Sequence, residues 1–325
     1  MTLKELAALA NVSQSTVSKA FSNAKDISNE TREHIFNVAK EYNCYEKFHK
    51  GNYFKKIVAV ICPEIKTELY HRIVARIETL LDKEGISMAL SISHFHPDTE
   101  KALFYYHAHY QKVDGIIIIA SLNTYKDEDS VPTVRIGSFK NSNPNVISTP
   151  YQNAINDTVK YLMDMGHRKI GYLGDFMTHP TEERFFQAMK KYYLPLRKEY
   201  VVISNKRFEK GGYDGMQQLL ELTTPPTAVI TAYDYMAFGA MKCIQDYGLS
   251  VPEDISLIGQ GNLQMSSYSS PTLTTIDIPY QEQCDLAMQL LQKKMKNNSY
   301  IETSLDTSCS KLIIRDSVKN LKGTS

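Results

Sequence analysis

The chain has 325 residues, 42% of them apolar, a formal net charge of +1 and five cysteines. That length and apolar content allow two or three compact units and exclude global disorder. The charge is uneven, because residues 1–56 hold nine Lys/Arg against six Asp/Glu and the remainder holds 28 against 30. A basic head therefore precedes a near-neutral body. The cysteines are scattered, with no Cys-x-x-Cys pair, which argues against a disulfide framework and for a reducing, cytoplasmic setting. No apolar run approaches the roughly 20 residues of a membrane span, and the N-terminus shows no apolar signal region.

The first element is a short helix. Thr2 is a hydroxyl N-cap with Glu5 three residues on, the capping-box arrangement, and Leu3, Leu6, Ala7 and Ala10 recur at helical spacing. Asn11 and Val12 interrupt the stripe. Ser13 then caps a second helix in which Val17, Ala20 and Phe21 face inward. Gln14, Ser15, Ser18 and Lys19 are left facing outward, with Ser13 and Thr16 at the cap and flank. A small, mostly uncharged polar face with one cation suits hydrogen bonding to base edges in a DNA major groove, and two short helices crossing on small residues make a helix-turn-helix. Ser28 caps a third helix, about 29–42, with Ile35, Val38, Ala39 and Tyr42 inward. A head of this size sits near the lower limit for an independent domain, so it should be less stable than the body.

The run Ala10-Asn-Val-Ser-Gln-Ser-Thr-Val-Ser-Lys19 resembles the A-G-V-S-x-x-T-V-S-R pattern of the lactose-repressor (LacI/GalR) family of bacterial transcription regulators, and Ile27-Ser-Asn-Glu-Thr-Arg32 is similar to the start of that family's third helix. Asn11 stands where the family usually has Gly, and Lys19 where it usually has Arg. The resemblance implies double-stranded operator DNA as partner and Thr2, Ser13, Gln14, Ser15, Thr16, Ser18, Lys19, Ser28 and Thr31 as contact residues. It also implies a hinge in the linker, residues 43–56. That linker lacks the family's usual Pro-Asn and is about three residues short, and Gly51-Asn52 would break a hinge helix. Lys47 and Lys50 are candidates to neutralise phosphates, and Phe48 or Tyr53 to supply an apolar wedge in the minor groove. A solvated tether is the alternative.

From Ile57 the pattern changes to short apolar runs between amphipathic helices. Strands are expected at 57–62, 87–93, 115–120 and 133–137, with helices at 70–83 and about 99–110 between them. The second half repeats this, with strands at 169–173, 200–203, 228–231 and 255–258 and helices at 153–165, 182–193 and 236–247. Alternation of this kind predicts parallel sheets covered by helices on both faces, in two lobes with a ligand cleft where the strand C-terminal ends meet. The segments Leu162-Met-Asp-Met-Gly-His-Arg-Lys-Ile-Gly-Tyr-Leu173, Ala188-Met-Lys-Lys-Tyr-Tyr-Leu-Pro-Leu196, Tyr247-Gly-Leu-Ser-Val-Pro-Glu-Asp-Ile-Ser-Leu-Ile-Gly259 and Leu312-Ile-Ile-Arg-Asp-Ser317 resemble the family's body. The fold class is thus α/β: an all-α helix-turn-helix head and a two-lobed, periplasmic-binding-protein-like body. By that analogy residues 57–148 with 279–303 form one lobe and 149–278 with 304–325 the other.

The resemblance weakens at the positions that hold a sugar effector. The family's usual Arg falls on Thr181, or on Arg184 after a small shift of register. Its Asn-Asp pair reads Tyr233-Asp234, its aromatic-Asp-Asp reads Gln260-Gly-Asn262, and the Asp that often ends the fourth strand is Gly137. Tyr70, Ser121, Thr181, Arg184, Tyr233, Asp234 and Asn262 are the effector-binding candidates. The losses point to a carbohydrate-related effector that is larger, more aromatic or phosphorylated. Tyr70, Tyr233 and Phe176 would stack on a ring, and Arg184 or Arg135 would pair with an acidic group.

Rival chemistry has little support. His94/His96 and His107/His109 lack a partner ligand at metal spacing and read as surface histidines. No dinucleotide, Walker-type, Gly-x-Ser-x-Gly or His-Glu-x-x-His pattern occurs, so no cofactor, metal or enzymatic activity is expected. The expected function is a sequence-specific repressor, dimeric on a near-palindromic site and controlled by a small molecule. The alternatives are a sugar-binding module and a DNA-binding regulator without effector.

Overall fold

The computed structural model describes residues 1–22, 24, 26–48, 56–111, 113–123, 131–138, 145–297, 299–301 and 305–323. The chain divides into two compact units, Met1–Lys56 and Ile57–Ser325.

The first unit is helical: α1 (Leu3–Leu9), α2 (Gln14–Phe21), α3 (Asn29–Glu41) and the single turn α4 (Tyr45–Phe48). The capping box at Thr2 is complete, with the Thr2 amide donating to Glu5 Oε2 at 2.7 Å and the Glu5 amide to Thr2 Oγ1 at 3.2 Å. Ser13 and Ser28 accept from the amides of Thr16 and Thr31 in the same way. α1 ends in a Schellman turn: the Val12 amide reaches Ala7 O at 3.0 Å, the Asn11 amide reaches Ala8 O at 3.2 Å, and Asn11 sits at φ +52°. That left-handed position favours Gly, and Asn is the side chain that next best tolerates it. The departure at Asn11 thus keeps the backbone geometry. α3 ends identically on Asn43, at φ +51°. Leu6, Val17, Ala20, Phe21, Ile35 and Ala39 are buried between the helices.

The second unit contains two six-stranded sheets. The first is built from β1 (Ile57–Cys62), β2 (Ser87–Ile92), β3 (Gly115–Ser121), β4 (Thr133–Ser138), β5 (Val146–Ser148) and, much later in the chain, β11 (Leu305–Asp306). Their order is β11-β5-β4-β3-β1-β2, parallel throughout. The second sheet contains β6 (Ile170–Asp175), β7 (Val201–Ser204), β8 (Ala228–Thr231), β9 (Ser256–Gln260), β10 (Thr274–Asp277) and β12 (Lys311–Ile313) in the order β12-β10-β9-β8-β6-β7. Only β12 runs antiparallel. In both sheets the order reverses beside the first strand, at β1/β3 and at β6/β8, which is where an open α/β sheet opens a crevice for a ligand.

The helices of the first lobe are α5 (Glu68–Lys83) and α6 (Pro97–Tyr105), which continues into a π-helical turn, Tyr106–Gln111. Those of the second are α7 (Gln152–Asp164), α8 (His179–Lys191), α9 (Phe208–Leu220) and α10 (Asp234–Asp246), and α11 (Tyr280–Lys296) returns to pack on the first sheet. The expected two-lobed α/β body with parallel sheets is present. Several details differ from the sequence reading, among them α11 and the strands β5, β10, β11 and β12, which it did not place. β11 joins the first sheet beside β5, so the last crossing between lobes falls between Asp306 and Lys311 and not before residue 304. α9 was not anticipated, since Gly211, Gly212 and Gly215 look like helix breakers; here Gly212 lets α9 meet α10 at backbone distance, a Cβ on it lying 2.0 Å from Met236 O, and Gly215 makes room for the Leu173 side chain of β6. His107, read as a surface residue, is buried, with Nε2 at 2.8 Å from Ser91 Oγ and Nδ1 at 2.9 Å from Gln111 Oε1.

Two outcomes are expected. Asn11→Ala should weaken protection of the head's amides from hydrogen exchange in the full chain by about 1 kcal/mol, and Asn11→Gly should not. The buried His107 and His167 are both held below their ordinary pKa by burial. A depressed His contributes stability that is present above its unfolded value, about 6.5, and lost as pH falls through the folded value. The drop in Tm between about pH 7 and about pH 5.5 should therefore shrink in the His107→Gln/His167→Gln double variant.

Candidate nucleic-acid interface and effector cavity

On α2 the side chains of Val17, Ala20 and Phe21 are buried, and Ser13, Gln14, Ser15, Ser18 and Lys19 are exposed; Thr16 is half-buried. The polar face read from the sequence is thus a solvent-facing surface. Its members are not equally available. The hydroxyls of Thr2, Ser13 and Ser28 serve as N-caps, and those of Thr16 and Thr31 bond Ser13 Oγ at 2.7 Å and Ser28 Oγ at 2.8 Å. Lys19 Nζ lies 2.6 Å from Asp26 Oδ2, and this donor holds the Asp26 carboxyl below its usual range.

One linker candidate, Phe48, is corrected. Phe48 packs in the head, its ring 5.9 Å from that of Phe21 in a cluster with Phe36 and Tyr45. An aromatic side chain this close to the end of α3 gains more by completing a small core than by standing in water. Lys47 Nζ donates to Met1 O at 2.7 Å. Lys50 and Tyr53 lie outside the described residues.

The second unit holds a cavity of about 720 Å³ at the C-terminal ends of the strands of both sheets, within the range of small-molecule sites, about 300–1,000 Å³. Tyr70, Thr181, Arg184, Tyr233 and Asp234 line it, as do Tyr151, Gln260 and Gln283. Tyr70, in the first turn of α5, meets the ring of Phe95 edge-on at 5.9 Å. The Arg184 guanidinium stands 5.7 Å over the ring of Tyr151, whose hydroxyl donates to Gln260 Oε1 at 2.6 Å. Gln260 Nε2 in turn donates to Thr231 O at 2.9 Å.

The densest electrostatic feature was missed in the sequence. Arg207, the residue before α9, lies between the rings of Phe95 at 4.8 Å and Phe208 at 4.3 Å, with Tyr233 at 5.9 Å. Its Nε is 3.4 Å from Asp175 Oδ2 and its Nη1 is 3.8 Å from Glu64 Oε2. Asp175 ends β6 and Glu64 follows β1, so the guanidinium joins the two lobes. Burial pushes the Asp175 carboxyl up, while the Met177 amide and Arg207 oppose that shift. The Tyr233 hydroxyl, buried against Asp175, is pushed up to about 12. Further cross-lobe links run from the Glu68 amide to Tyr235 Oη at 3.2 Å, from the Gln264 amide to Glu68 Oε1 at 3.0 Å, and from Arg72 Nη1 to Asn262 O at 3.1 Å. The available signal for Arg207 and Phe95 was their position just beyond strand ends. Without α9 in view, Arg207-Phe208 looked like loop.

Several effector candidates take other roles. Ser121 is fully buried and donates to Glu100 Oε1 at 3.1 Å, because Glu100 gathers the amides of Leu122 and Asn123 behind the sheet. Asn262 is outside the cavity wall, held by Asp277 at 2.9 Å and Arg315 at 2.7 Å. Asp234 reaches the wall but is fully buried: Oδ2 accepts from the Leu263 amide at 2.8 Å and Ser266 Oγ at 2.7 Å, and Oδ1 from Thr275 Oγ1 at 2.5 Å. Its carboxylate is occupied in tying the 261–266 segment to α10. Arg135 is fully buried within β4, away from the cavity wall, and Phe176 is 61% exposed. Among the described residues no group of three His, Cys, Asp or Glu is placed to hold a metal, and no helix is long and apolar enough to cross a membrane.

Residues 2–45 match the family model described as bacterial regulatory proteins, lacI family, and residues 159–318 match the periplasmic binding protein-like domain. The chain carries a lacI-family helix-turn-helix domain and a periplasmic-binding-protein-like domain. Over 98% of its length it is 29% identical to the HTH-type transcriptional repressor CytR of Escherichia coli K12, covering 97% of that protein. It is 28% identical to the repressor PurR of Photorhabdus laumondii, over 91% of each chain. Among solved structures, the lac repressor dimer bound to operator and the anti-inducer ONPF superposes with a TM-score of 0.75 at 22% identity, covering 98% of this chain and 99% of that one. The CelR–cellobiose complex does so with a TM-score of 0.70 at 22% identity, again over 98% and 99%. Members of this family are transcriptional regulators and not enzymes, and this chain is a DNA-binding regulator of that type.

Asp234→Ala should lower the stability of the body by about 3 kcal/mol, because three donors lose a buried acceptor. Thermal unfolding of the full chain checks this.

Proposed function

We propose that the chain is a cytoplasmic repressor. In this reading it binds a near-palindromic operator as a homodimer through the α2 face, and its grip on DNA is set by a small molecule in the interlobe cavity. The observation that carries this reading is the exposed run Gln14, Ser15, Ser18 and Lys19 on a helix whose opposite face is buried. Amide, hydroxyl and ammonium groups at that spacing match the donor and acceptor pattern of a major groove, and the head's surplus of cations supplies the phosphate attraction. We assign base or backbone contacts to Thr2, Ser13, Gln14, Ser15, Thr16, Ser18, Lys19, Ser28 and Thr31. Residues 1–42 with the turn at 45–48 act as the reading head, the remainder of 43–56 as the hinge and 57–325 as the effector-binding and dimerising body. A single head of this size buries too little surface for specific affinity, and two tethered heads gain effective concentration. The structural relatives named for an operator-bound dimer and for a cellobiose complex support the same division of labour. Because the cavity walls come from both lobes, a bound ligand changes the free energy of one lobe arrangement over another, and coupling to DNA is a population shift.

The test is selection of a binding site from random duplexes, followed by titration. Gln14→Ala and Lys19→Ala should each weaken binding to the selected site roughly 5- to 150-fold, the equivalent of about 1–3 kcal/mol per lost base contact, with circular dichroism unchanged. Failure to enrich any palindromic site, or indifference of the enriched site to both substitutions, would overturn the assignment.

A further inference from the structure

The cavity contains two guanidinium groups in different electrostatic states. Arg207 is balanced by Asp175 at 3.4 Å and Glu64 at 3.8 Å. Arg184 has no carboxylate partner and no hydrogen bond from its guanidinium among the described residues; its neighbour is the Tyr151 ring. A half-buried, unpaired cation facing a cavity is costly unless something brings it an anion. Two further features act in the same sense. Thr181, one turn earlier on α8, lines the same wall, and the N-terminal end of that 13-residue helix opens there. From the opposite lobe, Thr67 lines the cavity while 92% buried, and its Oγ1 has no hydrogen-bond partner. Four rings, Tyr70, Phe95, Phe208 and Tyr233, stand among the aliphatic side chains of the cavity wall.

We infer that the effector is a ring compound carrying an anionic oxygen group, phosphate or carboxylate, with the anion on Arg184, the ring against the aromatic walls and a hydroxyl on Thr67. This rests on the cavity being the effector site. A planar guanidinium offers paired donors matched to two oxygens of such a group, whereas the charge of Arg207 is already countered by Asp175 and Glu64 at ion-pair distance.

The experiment uses the full chain and matched ligands: glucose, glucose 6-phosphate and glucuronate; ribose and ribose 5-phosphate; uridine and uridine 5′-monophosphate. Binding is read by thermal shift and calorimetry, and operator affinity is read with each ligand. The expected result is that at least one anionic member binds at least about 10-fold tighter than its neutral parent and changes operator affinity. Arg184→Gln should erase that preference without weakening the neutral parent, and Arg184→Lys should retain part of it. The phosphate and carboxylate arms identify the anion's source. If a neutral parent binds as tightly as its anionic partner, or Arg184→Gln keeps the preference, the anionic effector is overturned. The cavity reading then survives where Tyr233→Ala abolishes the binding. If no compound of either kind binds, both are overturned.

Discussion

Parallel pairing is the constraint on which the body depends. Two strands can run parallel only if the chain crosses back between them, here by a helix after β1, β2, β6, β7 and β8, so the C-terminal ends of the parallel strands in a sheet point the same way. Applied twice, this brings Glu64 after β1, Asp175 at the end of β6, Arg207 after β7 and Tyr233 after β8 into one space. None of these residues is near another in sequence. Their meeting follows from strand direction and from the reversal of strand order at β1/β3 and β6/β8.

The walls of that space are held by bonds of unequal kind. Asp234 is fully satisfied and static, a carboxylate used as a clamp for the 261–266 segment. The Arg207 pairs at 3.4 and 3.8 Å are longer than good charge-assisted hydrogen bonds, and the second of them, to Glu64, spans the lobes. The lobes meet here through a few polar links, and a ligand touching both walls can bias one arrangement over another.

Legibility in the sequence tracked how local the determining interaction was. Capping residues at Thr2, Ser13 and Ser28 act within one turn, and they located the head helices closely. Short apolar runs such as Ile57–Cys62 and Gly115–Ser121 mark strands because both their faces are covered. The helix at 208–220 was hidden because its glycines answer to a distant helix: Gly212 is required by Met236, and Gly239 by Glu209. Effector candidates placed by family register fared unevenly for the same reason. Tyr70, Thr181, Arg184 and Tyr233 sit on the cavity wall, whereas Ser121 was claimed by Glu100 and Asn262 by Asp277 and Arg315, partners that no local pattern announces. Phe48 misled in the opposite direction, since a linker-like composition concealed a ring belonging to the head's aromatic cluster.

The interleaving of the two lobes has a consequence for how the protein is made. The first sheet is covered by α11 and edged by β11, and the second is closed by β12, so neither lobe is complete until the chain has reached residues 280–313. During synthesis the capped helical head can fold as soon as it leaves the ribosome. Both halves of the body must wait, the first with one apolar face of its sheet uncovered and the second with β10 as an unpaired edge, until the last segment emerges and finishes them together.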